Sequence, residues 1–557
     1  MEQKLARNAA RILFAAAVAA TAAGISACGG AGSSPAPAPA PAPPAAGPTA
    51  DEAARFLTQA AFGPTDTDIA RVQSIGYSAW IDEQFALSAT PHLPYVQANF
   101  TPGPNVANFN FMQDSFWQQA IPAPDQLRQR VKFALSQIAV VSGADNTIAA
   151  YSDGLANYAD LLGQHAFGNY RQAIEAVATN PMMGIYLSHL GNKKAQGTAV
   201  PDENFARELM QLFTIGLVQL NADGTAVSPQ VETYTNEDIG GLARVFTGWS
   251  WAATGTTENE FRGVNVTDPQ QRIKPMKVYP QHHETGAKTF LGLTITAGTS
   301  GEASLAQALD RLFNHQNLCP FVSKQLIQRL VTSNPSPAYV GRVSAACANN
   351  GQNVRGDMKA IIRAILLDAD ARDAAKLTDP QWGKVREPVL RLAHWGRCFG
   401  ATSTSGNWTI RNLQSASTSL GQQPWRSPSV FNFYRLGYVP PNTAIASASL
   451  VAPEFQLIGE TSVAGYTNFM QVTIQSGVGV GADVKANYTP EIALAGNADA
   501  LLDRVNRCLL AGSMSSTLRN DIRTAVNAIG TTGSGPNNRV YTAILLTMAS
   551  PDYLVQK

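Results

Sequence analysis

Basic runs are missing from this 557-residue chain. Its 41 Lys and Arg nearly balance its 40 Asp and Glu, and without a basic stripe no nucleic-acid partner is expected. No Gly-x-Ser-x-Gly elbow is present, nor a glycine-rich loop ending in Lys-Ser or Lys-Thr, which sets aside an α/β-hydrolase, a P-loop and a Rossmann site. No cofactor is therefore assigned. Cys-x-x-Cys pairs are also absent, and His282 and His283 are adjacent rather than four apart around a glutamate on a helix, so no metal centre is expected. No repeat of fixed period is visible, which argues against a solenoid of identical units.

What is present begins at the N-terminus. Lys4, Arg7 and Arg11 precede an apolar run from Ile12 to Ile25, and Ile25-Ser26-Ala27 sets small residues before Cys28. This run falls short of the ~20 apolar residues of a membrane-spanning helix and reads as a lipoprotein signal over residues 1–27. Cleavage leaves Cys28 to carry acyl chains that hold the protein on a bilayer by burying methylenes, each worth ~0.8 kcal/mol. Gly29 follows, whereas inner-membrane retention signals resemble an aspartate there, so outer-membrane placement is expected. Residues 28–50 contain an alternating Pro-Ala run, which forms an extended tether rising ~3 Å per residue.

From residue 51 to 557 the apolar spacing is mainly helical, as in Asp125–Val141, Ser152–Ala166, Glu203–Leu217, Asn236–Thr247, Asp357–Leu367 and Pro388–Cys398. The expected fold is one large mainly α, multi-helix domain with a small β-hairpin. That hairpin is placed at Met276–Tyr279 and Thr289–Ile295 around the turn Gln281–Gly286, and Gly465–Pro490 reads as an irregular loop. Cys319, Cys347, Cys398 and Cys508 make an even count in an exported chain. Of three possible connectivities, Cys319 with Cys347 and Cys398 with Cys508 is preferred.

On a wheel of about 100° per residue, Glu208 falls within the apolar arc of Phe205, Leu209, Leu212 and Ile215. A buried charge costs several kcal/mol unless paired, so Glu208 needs a cation such as Arg244, Arg329 or Arg386, or a functional reason to be there. The turn His282-His283-Glu284-x-Gly286-x-Lys288 supplies a second cluster, in which one histidine is a candidate general base with Glu208, His189 or His315. Catalytic candidates are Glu208, His283 and Asp238; binding candidates are Arg207, Arg244, Glu284, Lys288 and Trp249. Trp249, Trp251, Trp425, Phe431, Phe433 and Tyr434 are candidates for a sugar- or peptide-binding cleft.

The run Pro201-Asp202-Glu203-Asn204-Phe205-Ala206-Arg207-Glu208-Leu209-Met210-Gln211-Leu212-Phe213-Thr214-Ile215-Gly216, with Leu242-Ala243-Arg244-Val245-Phe246-Thr247-Gly248-Trp249, resembles the hallmark of the family called domain of unknown function 1800. Val331–Pro337, Lys384–Pro388 and Ser550–Gln556 are similar to further family motifs. The resemblance implies one long domain and an exported bacterial protein, without supplying a reaction. Glu284 departs from a common family aspartate, and Phe133-Ala134-Leu135-Ser136-Gln137 stands where many members have a Trp-His-x-His-Phe run. A metal site built on that run would be missing here. Two functions are expected to compete. One is a hydrolase or lyase on envelope or extracellular polysaccharide; the other is a non-catalytic lipoprotein that binds a secreted partner.

Overall fold

A computed structural model describes residues 47–557 except 102, 104 and 265–267, so the signal, Cys28 and most of the tether lie outside the described residues. Thr49 opens the folded body. Its side chain accepts from the backbone of Glu52 while Glu52 reaches back, a reciprocal cap that starts the helix Ala50–Ala60. Among the described residues there are 25 α-helices, and 55% of these residues are helical, with only short antiparallel strand pairs. None of these helices is long and apolar enough to cross a membrane.

Two helices lie deepest. Pro388–Cys398 is buried along its whole length and Leu318–Leu330 nearly so, which is why both lack a clean polar face. Several of their polar side chains bond carbonyls of the surrounding chain: Arg397 donates to Gly63 and Ile121, and His394 Nε2 to Cys508, while Ser323 Oγ, Arg329 Nε and Arg391 Nη2 have no partner among the described residues. Cys319 and Cys347 join Leu318–Leu330 to Pro337–Ala348, and Cys398 and Cys508 join Pro388–Cys398 to Ala498–Leu510, with Cα separations of 5.5 and 5.9 Å. The C-terminus is drawn inside as Val555–Gln556 pairs with Lys384–Val385, and Gln556 Nε2 donates to Leu330 O at 2.9 Å.

Several segments differ from their sequence reading. The hairpin is Lys288–Phe290 with Leu293–Ile295, turned by Leu291-Gly292. Lys277–Val278 pairs instead with Trp249–Ser250, so the turn Gln281–Gly286 is a connection rather than a hairpin loop. Alternation identifies a strand but not its partner. Glu460–Ser476 is a helix where Gly465–Pro490 was expected to be irregular, because the clustered Gly477, Gly479 and Gly481 lie beyond its end and only Gly465 lies within it. Glu203–Leu217 is not one helix: Asn204–Glu208 is α-helical and Leu209–Thr214 forms a π-helical turn.

Residues 404–443 contain no helix or strand, yet within them the stretch 419–427 is largely buried. A buried irregular backbone must find partners. Here Gly143 donates to Trp425 O, Gln113 to Pro424 O, and Ser142 to Ser427 O. The segment is thereby fixed against the helices and delivers Phe431 and Tyr434 to the cavity described below.

Candidate functional site

Glu208 is buried, with 6% of its surface exposed. Among the described residues no cation pairs with it: Arg329 donates to Gln325 and Gln137 carbonyls, Arg386 to Tyr553 O, and Arg244 lies exposed on the next short helix. The arginine pairing considered for it is therefore not formed. Its Oε2 has no hydrogen-bond partner, and burial holds the carboxyl above its usual range against the weaker pull of neighbouring Arg207. Arg207 itself bonds Glu203 at 3.3 Å. The Tyr234 hydroxyl is likewise buried without a partner, its pKa pushed up to about 12 by burial and then by Glu208.

A raised carboxyl pKa means that the folded state holds its proton more tightly than the unfolded chain, so Glu208 erodes stability as pH rises from its ordinary range through its folded value. Glu208→Gln is expected to match the native protein within ~1 kcal/mol near pH 4 and to be the more stable of the two near pH 8. Chemical denaturation at both pH values checks this. A large loss at pH 8 would show a hidden ionic partner.

The other candidates are dispersed. Asp238 closes a capping box with Thr235 through Oδ2 and accepts Leu291 N through Oδ1, so both oxygens are committed to holding the hairpin against the helix Asn236–Ala243. His283 donates Nδ1–H to Thr247 O at 2.8 Å; its Nε2 is buried and unpartnered, and burial pushes its pKa down. His282 instead stacks on Phe261 at 4.0 Å with Nε2 2.9 Å from Glu258. The two imidazoles thus meet different neighbours. His189 stacks on Phe205 at 3.9 Å and is held neutral by burial at a pKa of about 4. Glu284 accepts from Gly286 N, Lys288 is wholly buried near Gly286 O, and Trp249 is buried with Nε1 unpartnered. Among the described residues no group of three or more His, Cys, Asp and Glu gathers as a metal site would require.

A large cavity lies elsewhere, at the far end of the hallmark run. After Glu208 the π-helical turn places Gln211 and Leu212 on a cavity of about 840 Å³. A π turn adds a residue to the helical period; Ile215 and Gly216 both donate back to Met210 O. The run ends at Gly216, with φ +71°, where a Cβ would stand 2.6 Å from the Phe321 ring. Ser333, Asn334 and Pro335 form another side, Phe431 and Tyr434 a third, and Gln137 and Arg329 the floor. The aromatic residues grouped by sequence therefore part company. Phe431 and Tyr434 line this cavity, whereas Trp425 is buried with its ring 6.3 Å from His92.

Beneath that floor lies a charged cluster that sequence reasoning missed. Lys384 Nζ stands 3.0 Å from Glu454 Oε1 and 3.9 Å from Glu387 Oε1, and donates to Arg329 O at 3.0 Å. Gln137 and Gln422 each donate to Glu387 Oε2 at 2.6 Å. Arg130 donates to Arg329 O at 2.7 Å but leaves Nε and Nη1 unpartnered. Burial holds the Glu454 carboxyl above its usual range despite Lys384, and lowers the pKa of Arg130 and Arg329. The available signal was the motif Lys384-Val385-Arg386-Glu387-Pro388, but nothing in its spacing reveals Glu454, which reaches it from a distant short helix.

Fold and site together define a mainly helical protein with a basic-floored cavity built from several motif segments. The chain belongs to the family described as Protein of unknown function (DUF1800), whose model matches residues 55–555. No curated protein and no solved structure matches it.

Proposed function

We propose that the protein is a lipid-anchored component of the bacterial cell envelope, held at the outer membrane through Cys28, whose helical body captures a ligand in the cavity between Gln211, Arg329 and Tyr434. The observation that carries capture is the convergence of separate motif segments there. Gln211, Leu212 and Gly216 come from the hallmark run and Ser333–Pro335 from a second motif; Lys384 and Glu387 brace the floor from a third. A volume of about 840 Å³ suits a small molecule or a short stretch of polymer.

A hydrolase or lyase acting on envelope polysaccharide through Glu208, with His283 and Asp238 assisting, is the second reading. One observation favours it: a carboxyl held above its usual range with a free oxygen is the state a general acid needs. Against it, Asp238 has both oxygens engaged, and Glu208 does not line the large cavity.

Two measurements test the proposal. Cys28→Ser is expected to abolish fatty-acid labelling and membrane retention while leaving the circular dichroism and melting temperature of the body unchanged; retention of an unlabelled variant would remove the anchor. Leu212→Trp fills the cavity from a half-buried position. It is expected to eliminate the thermal stabilisation that envelope extract confers on the native protein. Equal stabilisation of both proteins would place capture elsewhere.

A further inference from the structure

The cavity lining carries charge of one sign. Lys324, Arg329 and Arg435 contribute to it, and no aspartate or glutamate does. None of the three forms an ion pair among the described residues. Lys324 only approaches Gly224 O at 3.5 Å, and its half-buried ammonium is held below its usual pKa by burial, with Asp223 opposing. Arg435 lies over the Phe431 ring at 4.6 Å. A cation taken out of water is costly unless something supplies the opposite charge, which applies to buried Arg329 and half-buried Lys324, whereas Arg435 is exposed and free to turn toward a ligand.

The cluster under the floor does not supply it. Arg130, Arg329 and Lys384 face only Glu387 and Glu454, and burial favours the neutral form of Glu454. Most of the remaining accessible lining is apolar, with Leu212, Phe321, Val430 and Leu450 contributing, and neutral polar groups such as Gln211, Gln325 and Asn334 lie among them. A mainly apolar chamber with several cations outside any ion pair and no carboxylate fits a molecule with a hydrocarbon or ring body and an acidic group.

Resting on the capture reading, we infer that the ligand is an amphiphilic acid: a small molecule whose apolar body lies against Leu212 and Phe321 and whose anionic head is neutralised by Lys324, Arg329 and Arg435. Carboxylate and phosphate heads share this chemistry. A neutral saccharide does not, since it would leave the cations without an opposite charge.

The test uses the full chain carrying Cys28→Ser in detergent-free buffer, titrated calorimetrically with decanoate, decyl phosphate and decanol below their aggregation limits. Decanoate or decyl phosphate is expected to bind at least tenfold more tightly than decanol, and the tighter of the two identifies the head. Lys324→Gln with Arg435→Gln, both away from the buried cluster, should weaken the acid at least tenfold and leave decanol unchanged. Leu212→Trp should abolish binding of all three. Decanol binding as tightly as both acids, or acid binding untouched by the paired substitution, overturns the charge inference while the cavity reading stands. Failure of all three probes, decanol included, contradicts the amphiphile and counts against the cavity reading, which the envelope-extract measurement decides independently.

Discussion

Lys384→Met is expected to lower the unfolding free energy by ~3–5 kcal/mol, the cost of leaving buried carboxylates without their cation. The ammonium is wholly buried, 3.0 Å from Glu454 and 3.9 Å from Glu387, and no other lysine or arginine forms an ion pair with either carboxylate. The direction of the pH dependence is fixed. Removing the cation raises further the folded-state pKa of the Glu454 carboxyl, whose charged form burial already disfavours, so the folded variant holds a proton that its unfolded chain releases. The deficit relative to the native protein should therefore be smaller near pH 5 than near pH 8. Denaturant titration at both pH values checks it. A deficit below ~1 kcal/mol, the level of an exposed pair, would mean that water or another cation reaches the cluster.

The second large effect concerns the disulfides. The Cys398–Cys508 bridge spans a sequence separation of 110, against 28 for Cys319–Cys347. In the chain-entropy account the longer loop contributes roughly 4.8 kcal/mol and the shorter roughly 3.6. Cys398→Ala with Cys508→Ala is expected to be the more damaging pair, because it also releases the wholly buried Pro388–Cys398 helix from Ala498–Leu510. Parallel unfolding of the two double variants decides the order. Equal losses would show that the bridges act through native packing rather than through the unfolded chain.

Local rules expose much of this architecture and almost none of its site. The helix at Pro388–Cys398 was legible to the residue, and those at Ser152 and Asp357 nearly so, because apolar spacing, the Pro388 start and the Asp357 cap are local signals. Glu208 was legible as a buried carboxyl for the same reason. Its lack of a cation was not, since Arg329 and Arg386 are claimed by carbonyls far along the chain. The π turn after Glu208 has no sequence period of its own, yet it is what directs Gln211 and Leu212 into the cavity. The hairpin was misplaced because partner choice depends on Asp238 holding Leu291 N, a contact between residues 53 positions apart. Tyr434 reaches the cavity on a segment with no regular structure, where periodicity carries no information.

Capture in the cavity is tested most directly by native mass spectrometry of the full chain drawn from its own envelope, native protein beside Leu212→Trp. The account predicts a noncovalent adduct on the native protein that is released on denaturation and is absent from the variant. A native protein that flies bare, or an adduct retained equally by Leu212→Trp, would contradict it.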